Sequence, residues 1–368
     1  MVITMTEFAQ TGTPDWVSPP GETIADLLEE QGWSQRELGQ RLDYSSKHVN
    51  QLIKGKVPLT EEAALRLERV LGGTARFWLE REAQYREALI RQQELETLKA
   101  QAGWLKELPL AEMVRLGWIR RFSHKGQQVA ECLGFFGVAS VDAWCEGYSA
   151  GNAAFRASPT FERKGAAVGA WFRQAERMAA EIECNSFDRK GFELALEHVR
   201  ELTSETSPET FIPPLVEVCR KVGVAVVFVE APKGCPVSGA TRWVAPNKAL
   251  IALSLRHRSN DHLWFSFFHE AAHLVLHGKR VAFVDTEGGL DGKEEQEANA
   301  FAEDHLIPPE AWQRLSRSGL SPDAVAEFAR NVGVAPGIVV GRLQKEGLLH
   351  WKQMNNLKVR YTWDRETG

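Results

Sequence analysis

The stretch Trp264–Gly278, WFSFFHEAAHLVLHG, decides how the second half of this chain folds. Leu263, Trp264, Phe265, Phe267, Phe268, Leu274, Val275 and Leu276 make it apolar nearly all round, which predicts a buried helix from about Asp261 to His277. Set into that surface are His269 and His273. Four residues apart on a helix, they project from one face and can hold one Zn²⁺ through imidazole nitrogens. Glu270 falls on the adjoining surface, where a carboxylate can hold a water for attack. The competing reading is a pair of core or surface histidines, and the His-Glu-x-x-His spacing alone does not exclude it.

A third ligand has to come from a second helix. Glu294 to Ala302, EEQEANAFA, supplies one, with Ala298, Phe301, Ala302 and Leu306 as its buried stripe. Glu295 and Asn299 stand four apart on one face. Glu295 can then ligate while Asn299 hydrogen-bonds and orients a ligand imidazole. Glu294 and Glu297 lie on other faces and are expected to meet solvent. His277 and His305 are candidates for stabilising an oxyanion, but His277, one turn beyond His273, is equally placed to support a ligand; the role stays unassigned.

Upstream, the pattern turns to β at Val224–Val229, Ser238–Val244 and Ala249–Leu255, separated by Pro, Gly and Asn turns. A short strand is expected at Val281–Val284, and small helices at Asp323–Ala329 and Ile338–Lys345. Ser238–Val244 can be read as an edge that pairs with an extended substrate or, more simply, as an internal strand. Helices at Leu110–Leu116, Gln127–Phe136, Val168–Ala180 and Phe192–Leu202 carry little chemistry.

The first ninety-odd residues read differently. After a loose Thr/Pro-rich arm, apolar positions recur at three and four through five short helices, followed by a charged helix over Arg81–Lys99. Ser34 with Glu37 forms a capping box, and Trp33 and Leu38 occupy the staple positions, so a helix should run from Ser34 to near Leu42. Asp43 can adopt the left-handed turn conformation, and Ser45 can cap a second helix that ends at Ile53 before Gly55. Two short helices about so tight a turn have helix-turn-helix geometry. The second would present Ser46, Lys47, Asn50, Gln51 and Lys54, with Ser45 at its start and Gln35 from the preceding helix, to double-stranded DNA. A helical hairpin with polar outer faces is the plainer alternative.

Charge limits these readings. The net charge of −5 excludes a whole-chain polycation, so any nucleic-acid surface is local. Residues 21–80 hold eight Lys/Arg against ten Asp/Glu, yet Ser45–Lys56 holds three Lys and no acid. Five cysteines, odd in number and without a C-x-x-C pair, give neither a disulfide framework nor a cysteine zinc site. With no signal peptide and no span-length apolar run, the expected location is the cytoplasm, away from membranes.

Two resemblances sharpen the picture. GWSQRELGQRL, SSKHVNQLIKGKVPLT and FWL, over residues 20–85, resemble the Cro/C1-type helix-turn-helix (XRE) family, and most closely its HigA-like antitoxin branch; Asp43-Tyr44 departs from the Gly and small apolar residue many members carry. HEAAH, then EEQEANAFA, then Leu306-Ile307-Pro308, with GATRWVAPNKALIALS before them, resemble the ImmA/IrrE metallopeptidase family over residues 210–310. That resemblance implies a gluzincin-like zinc peptidase with Glu295 as third ligand and Glu270 as general base, one Zn²⁺ per chain.

The expected fold is therefore mostly α with a smaller α+β part. A five-helix helix-turn-helix domain takes 21–95, a helical middle region 100–221, a zinc peptidase domain with a small sheet 222–310, and a helical extension 311–368. The expected function is a zinc endopeptidase coupled to DNA binding, cutting a repressor or antitoxin-like protein. The alternative is a HigA-like regulator whose zinc domain senses or binds a partner without proteolysis. A homodimer is expected from the repressor-type unit.

Overall fold

A computed structural model describes residues 18–150, 159–278, 283–286, 292–315 and 320–363. The chain forms two compact units, residues 1–101 with 124–127, and residues 102–123 with 128–368.

The first unit holds α1 (Pro20–Gln31), α2 (Gln35–Leu42), α3 (Ser46–Ile53), α4 (Glu61–Leu71) and α5 (Ala75–Ala100). Each boundary has a local cause. Ser34 Oγ accepts from the Glu37 amide at 3.2 Å, Ser45 Oγ from the His48 amide at 3.1 Å, and Thr60 and Thr74 cap α4 and α5 in the same way. Asp43 ends α2 at φ 59°, the left-handed conformation the turn demands. Gly21 has no freedom to grow: a Cβ there would stand 2.1 Å from the Ile53 carbonyl oxygen. Ile24, Leu38, Val49, Leu52, Leu67 and Trp78 fill the core. The fifth helix is not short. It runs without interruption through the stretch expected as a separate charged helix, because no Gly or Pro breaks it and Arg76–Glu80, Arg86–Glu82 and Arg91–Glu87 bridge successive turns.

The second unit begins with α6 (Leu110–Arg115), α7 (Lys125–Phe136, its first residues assigned to the other unit), α8 (Val141–Ala150), α9 (Pro159–Glu181), α10 (Arg189–Leu202) and α11 (Pro208–Lys221). Helix α11 was not foreseen from the sequence. Pro213 and Pro214 lie inside it, where proline removes hydrogen-bond donors and normally argues against a helix.

Then come β1 (Val224–Phe228), β2 (Val237–Ala245), β3 (Lys248–Leu253), α12 (Asn260–Ala272), β4 (Phe283–Thr286), α13 (Lys293–Leu306), α14 (Pro309–Leu315), α15 (Pro322–Val332) and α16 (Pro336–Lys345). The expected strand at Val281–Val284 lies partly outside the described residues; its described part belongs to β4.

The sheet order is β1-β3-β2-β4, with β1 parallel to β3 and the other pairs antiparallel. Alternation sorts its side chains between two layers. Val224, Val226, Ala249, Ile251 and Leu253 face the core built with Phe192, Phe211, Trp264 and Phe267. Ala225, Val227, Leu250 and Ala252 face Val168, Trp171 and Phe172 of α9. The unit is thus three layers deep, with the metal-helix candidate α12 buried against one sheet face. Helices from 192–219 and from 311–343 share its core, so the middle region, the sheet and the tail are packed as one body. Strand β2 pairs with β3 over Gly239–Ala245 and with β4 over Val237–Thr241, so the plainer reading of Ser238–Val244, an internal strand, holds where both neighbours pair with it.

Candidate metal centre

Helix α12 carries His269, Glu270 and His273 into the core, where all three are fully buried. Beyond Ala272 it widens into a π turn over His273–His277, a distortion that often accompanies functional sites. The neighbouring α13 brings Glu295, Glu297 and Asn299 alongside.

Hydrogen bonds fix the protons on these rings. Asn299 Oδ1 is an acceptor, so His269 donates to it from Nδ1 at 3.1 Å. The Glu297 carboxylate accepts from His277 Nε2 at 3.1 Å, which leaves His277 Nδ1 bare to accept from His273 Nδ1 at 3.0 Å. With each ring neutral, both ligand candidates turn an unprotonated Nε2 inward, and the two face each other at 3.2 Å. Burial, and then the neighbouring His269 and His277, push the His273 pKa down to about 2, which keeps its ring neutral. The Glu295 carboxylate closes the third side, its Oε2 3.1 Å from His269 Nε2 and its Oε1 3.7 Å from His273 Nε2.

Two lone pairs and a carboxylate this close need a shared proton or a metal cation between them. All the ligand atoms of His269, His273 and Glu295 lie within 4.8 Å of one another. Tetrahedral zinc ligands bonded at about 2.0–2.1 Å stand roughly 3.3–3.4 Å apart; the 3.2 Å between the two Nε2 atoms and the 3.1 Å from His269 Nε2 to Glu295 Oε2 are close to that value. The donor set fits zinc, with His269 and His273 each held from behind through Nδ1.

Glu270 is positioned by the sheet. Its carboxylate lies against β2 at Gly239, where a Cβ would stand 2.8 Å from Oε1 and 2.9 Å from Cγ. Two residues along the strand, on the same face, buried Thr241 donates from Oγ1 to the Glu270 carbonyl oxygen at 3.1 Å. Sequence reasoning missed both residues, since nothing in the spacing of β2 names the helix residue it meets.

Glu297 is exposed, as its helix face implies, and it also bonds His277; that bond holds its pKa below the usual carboxylate range. The i+4 step from His273 to His277 was a signal for this chain of contacts. His305 is elsewhere, stacked on Phe301, tilted against Phe268 and 3.4 Å from Glu197.

Residues 221–344 match the family model described as the IrrE N-terminal-like domain, of the M78 peptidase family. Residues 24–78 match the helix-turn-helix family model. The chain joins a helix-turn-helix to an IrrE-like peptidase-family domain. Over 60 residues it is also 33% identical to YddM of Escherichia coli (strain K12), described as an uncharacterized HTH-type transcriptional regulator; the match takes in 16% of this chain and 64% of that protein. Among the described residues no helix is long and apolar enough to cross a membrane.

In the helix-turn-helix, Ser46, Lys47 and Lys54 of the second helix and its C-cap are exposed, and Gln51 is half-buried. Ser45 uses its hydroxyl as the cap. Asn50 donates from Nδ2 to Gln35 Oε1 at 3.0 Å, so these two amides from successive helices form one unit.

The support behind His273 can be tested directly. Glu297→Ala is expected to weaken zinc binding about 10–100-fold, read by titration against a competing chelator. Glu297 is partly exposed, so the fold should persist, and an unchanged affinity would show that the Glu297–His277–His273 chain does not orient the ligand.

Proposed function

We propose that this chain is a zinc-dependent endopeptidase coupled to DNA binding, which regulates transcription in the cytoplasm by cutting a repressor or antitoxin-like protein. The observation that carries the reading is the convergence of His269, His273 and Glu295 beside a buried Glu270. A purely structural zinc site needs no carboxylate base next to its ligands and is normally closed by a fourth protein ligand; the group found among the described residues has three.

His269, His273 and Glu295 would hold one zinc ion per chain. When bound, zinc supplies a Lewis acid for water and for the peptide carbonyl. Glu270 takes a proton from the attacking water at a carboxylate oxygen and passes it to the leaving amine. Asn299 fixes the His269 ring through Nδ1, and His277 with Glu297 does the same for His273. The apolar flanks of α12 keep bulk water from these groups. The helix-turn-helix places this activity at an operator, as a homodimer on double-stranded DNA, with Gln35, Ser45, Ser46, Lys47, Asn50, Gln51 and Lys54 at the interface. Incubating the zinc-loaded chain with a helix-turn-helix repressor encoded beside it should give a discrete cut that a chelator abolishes. Intact repressor in both samples would count against the reading.

A second reading draws on the 33% identity to an HTH-type transcriptional regulator: a HigA-like regulator whose zinc domain binds a partner without cutting it. DNA binding is common to both readings, and its test is Lys47→Ala. This change is expected to weaken binding to the chain's own promoter and to reduce the salt slope by about one. The second reading gains if promoter binding responds to zinc in a Glu270→Gln variant as it does in wild type.

A further inference from the structure

One helical turn before the metal pair, α12 borders a cavity of about 290 Å³. Three elements lead from the metal site into it. On α12, Phe265 and Ser266 precede His269 and Glu270 by four residues each and so share their faces. On β2, Ser238 adjoins Gly239, the residue against the Glu270 carboxylate. On α13, Glu303 continues the row Glu295, Asn299 at the same four-residue spacing.

The lining has a definite chemistry. Phe265, Leu306, Ile307 and Ile338 are apolar, and Trp351 borders the cavity with 60% of its surface exposed. An indole left that open, beside a hollow, is a ready contact for a partner chain. The charged groups in the wall are paired, although one buried oxygen of Asp261 has no hydrogen-bond partner among the described residues, and His257 and His262 stack at 4.1 Å in the same wall. Asp261 pairs with Lys358 at 2.6 Å, Glu303 with Lys345 at 2.9 Å, and Arg342 with Glu346 at 3.0 Å. Lys345 additionally caps the Phe265 ring at 4.5 Å. An apolar occupant leaves these pairs intact and displaces only water. The volume is just under the roughly 300–1,000 Å³ of ordinary small-molecule sites, which suits one large side chain.

We propose that this cavity is a specificity pocket that takes one large uncharged side chain, aromatic or long aliphatic, of a peptide held at the metal site. The inference rests on the peptidase reading and deepens it by naming the substrate class. It makes Phe265, Ser266, Ile338 and Trp351 determinants of which bond is cut.

The test uses the zinc-loaded full chain and two probes that chelate zinc alike, acetohydroxamate and 3-phenylpropanohydroxamate, with dissociation constants measured by calorimetry. The phenyl probe is expected to bind at least about 10-fold tighter, the gain from burying one aromatic group. Ser266→Phe, which fills the cavity, should bring the ratio to about one. Should that variant fail to fold, Trp351→Ala at the exposed wall should narrow the ratio several-fold. Equal affinity of the two probes in wild type would overturn the pocket while the metal reading stood. A ratio unchanged in a folded Ser266→Phe protein, or a charged succinohydroxamate binding as tightly as the phenyl probe, would overturn it too. If neither hydroxamate binds, the metal reading fails and the pocket falls with it.

Discussion

Replacing His273 by alanine is expected to cost the protein its zinc and its cleavage activity together. The ring contributes one of three donors and lies wholly inside the core, its Nε2 3.2 Å from that of His269 and 3.7 Å from the Glu295 carboxylate. Binding at a zinc site is worth on the order of 10–16 kcal/mol shared among its ligands, so losing one should lower affinity by at least about two orders of magnitude. Metal content after dialysis, measured by mass spectrometry, should fall from about one ion per chain to a trace. Circular dichroism guards against simple unfolding. A folded variant that kept a full equivalent of zinc would remove His273 from the ligand set.

Gly239→Ala should do the reverse and spare the metal while crippling the chemistry. Gly239 is not among the residues with positive φ, so the backbone accepts alanine. The obstacle is Glu270. The new methyl carbon would stand 2.8 Å from its Oε1 and 2.9 Å from its Cγ, well inside van der Waals contact. A terminal oxygen alone could swing aside, but the Cγ contact and full burial leave the side chain nowhere to go. Thr241 holds the Glu270 carbonyl to the same strand, so the helix cannot retreat easily. A displacement near 1 Å typically lowers turnover about 100-fold. Zinc content should stay at wild-type level because the ligands are untouched. Wild-type cleavage in this variant would mean that the position of Glu270 against β2 does not matter to catalysis.

These two variants mark where sequence reading stopped. The caps at Ser34 and Ser45, the left-handed Asp43 and the strands around Val226 and Ile251 were readable because each depends on a local pattern. The pairing of His269 with His273, and of Glu295 with Asn299, was readable from helical periodicity. Gly239 and Thr241 were not, since their role arises only when the sheet meets the helix. The exposure of Glu297 was readable from its face on α13, but its bond to His277 arises only in the packed pair. Helix α11 was hidden by its two internal prolines, and the single long α5 by a composition that reads as a separate charged segment. The wall from Phe265 to Ile338 is assembled from residues seventy apart in the chain, and no window of sequence contains it.

The central claim, that zinc and Glu270 act together to cut a protein, is tested most directly by comparing wild type with Glu270→Gln. Both are purified, their bound metal is measured by mass spectrometry, and each is incubated with the neighbouring repressor or antitoxin. About one zinc in each protein, with cleavage slowed roughly 10²–10⁴-fold in the variant, is the predicted result. Cleavage at equal rates by both, or no zinc in either after zinc is supplied, would contradict it.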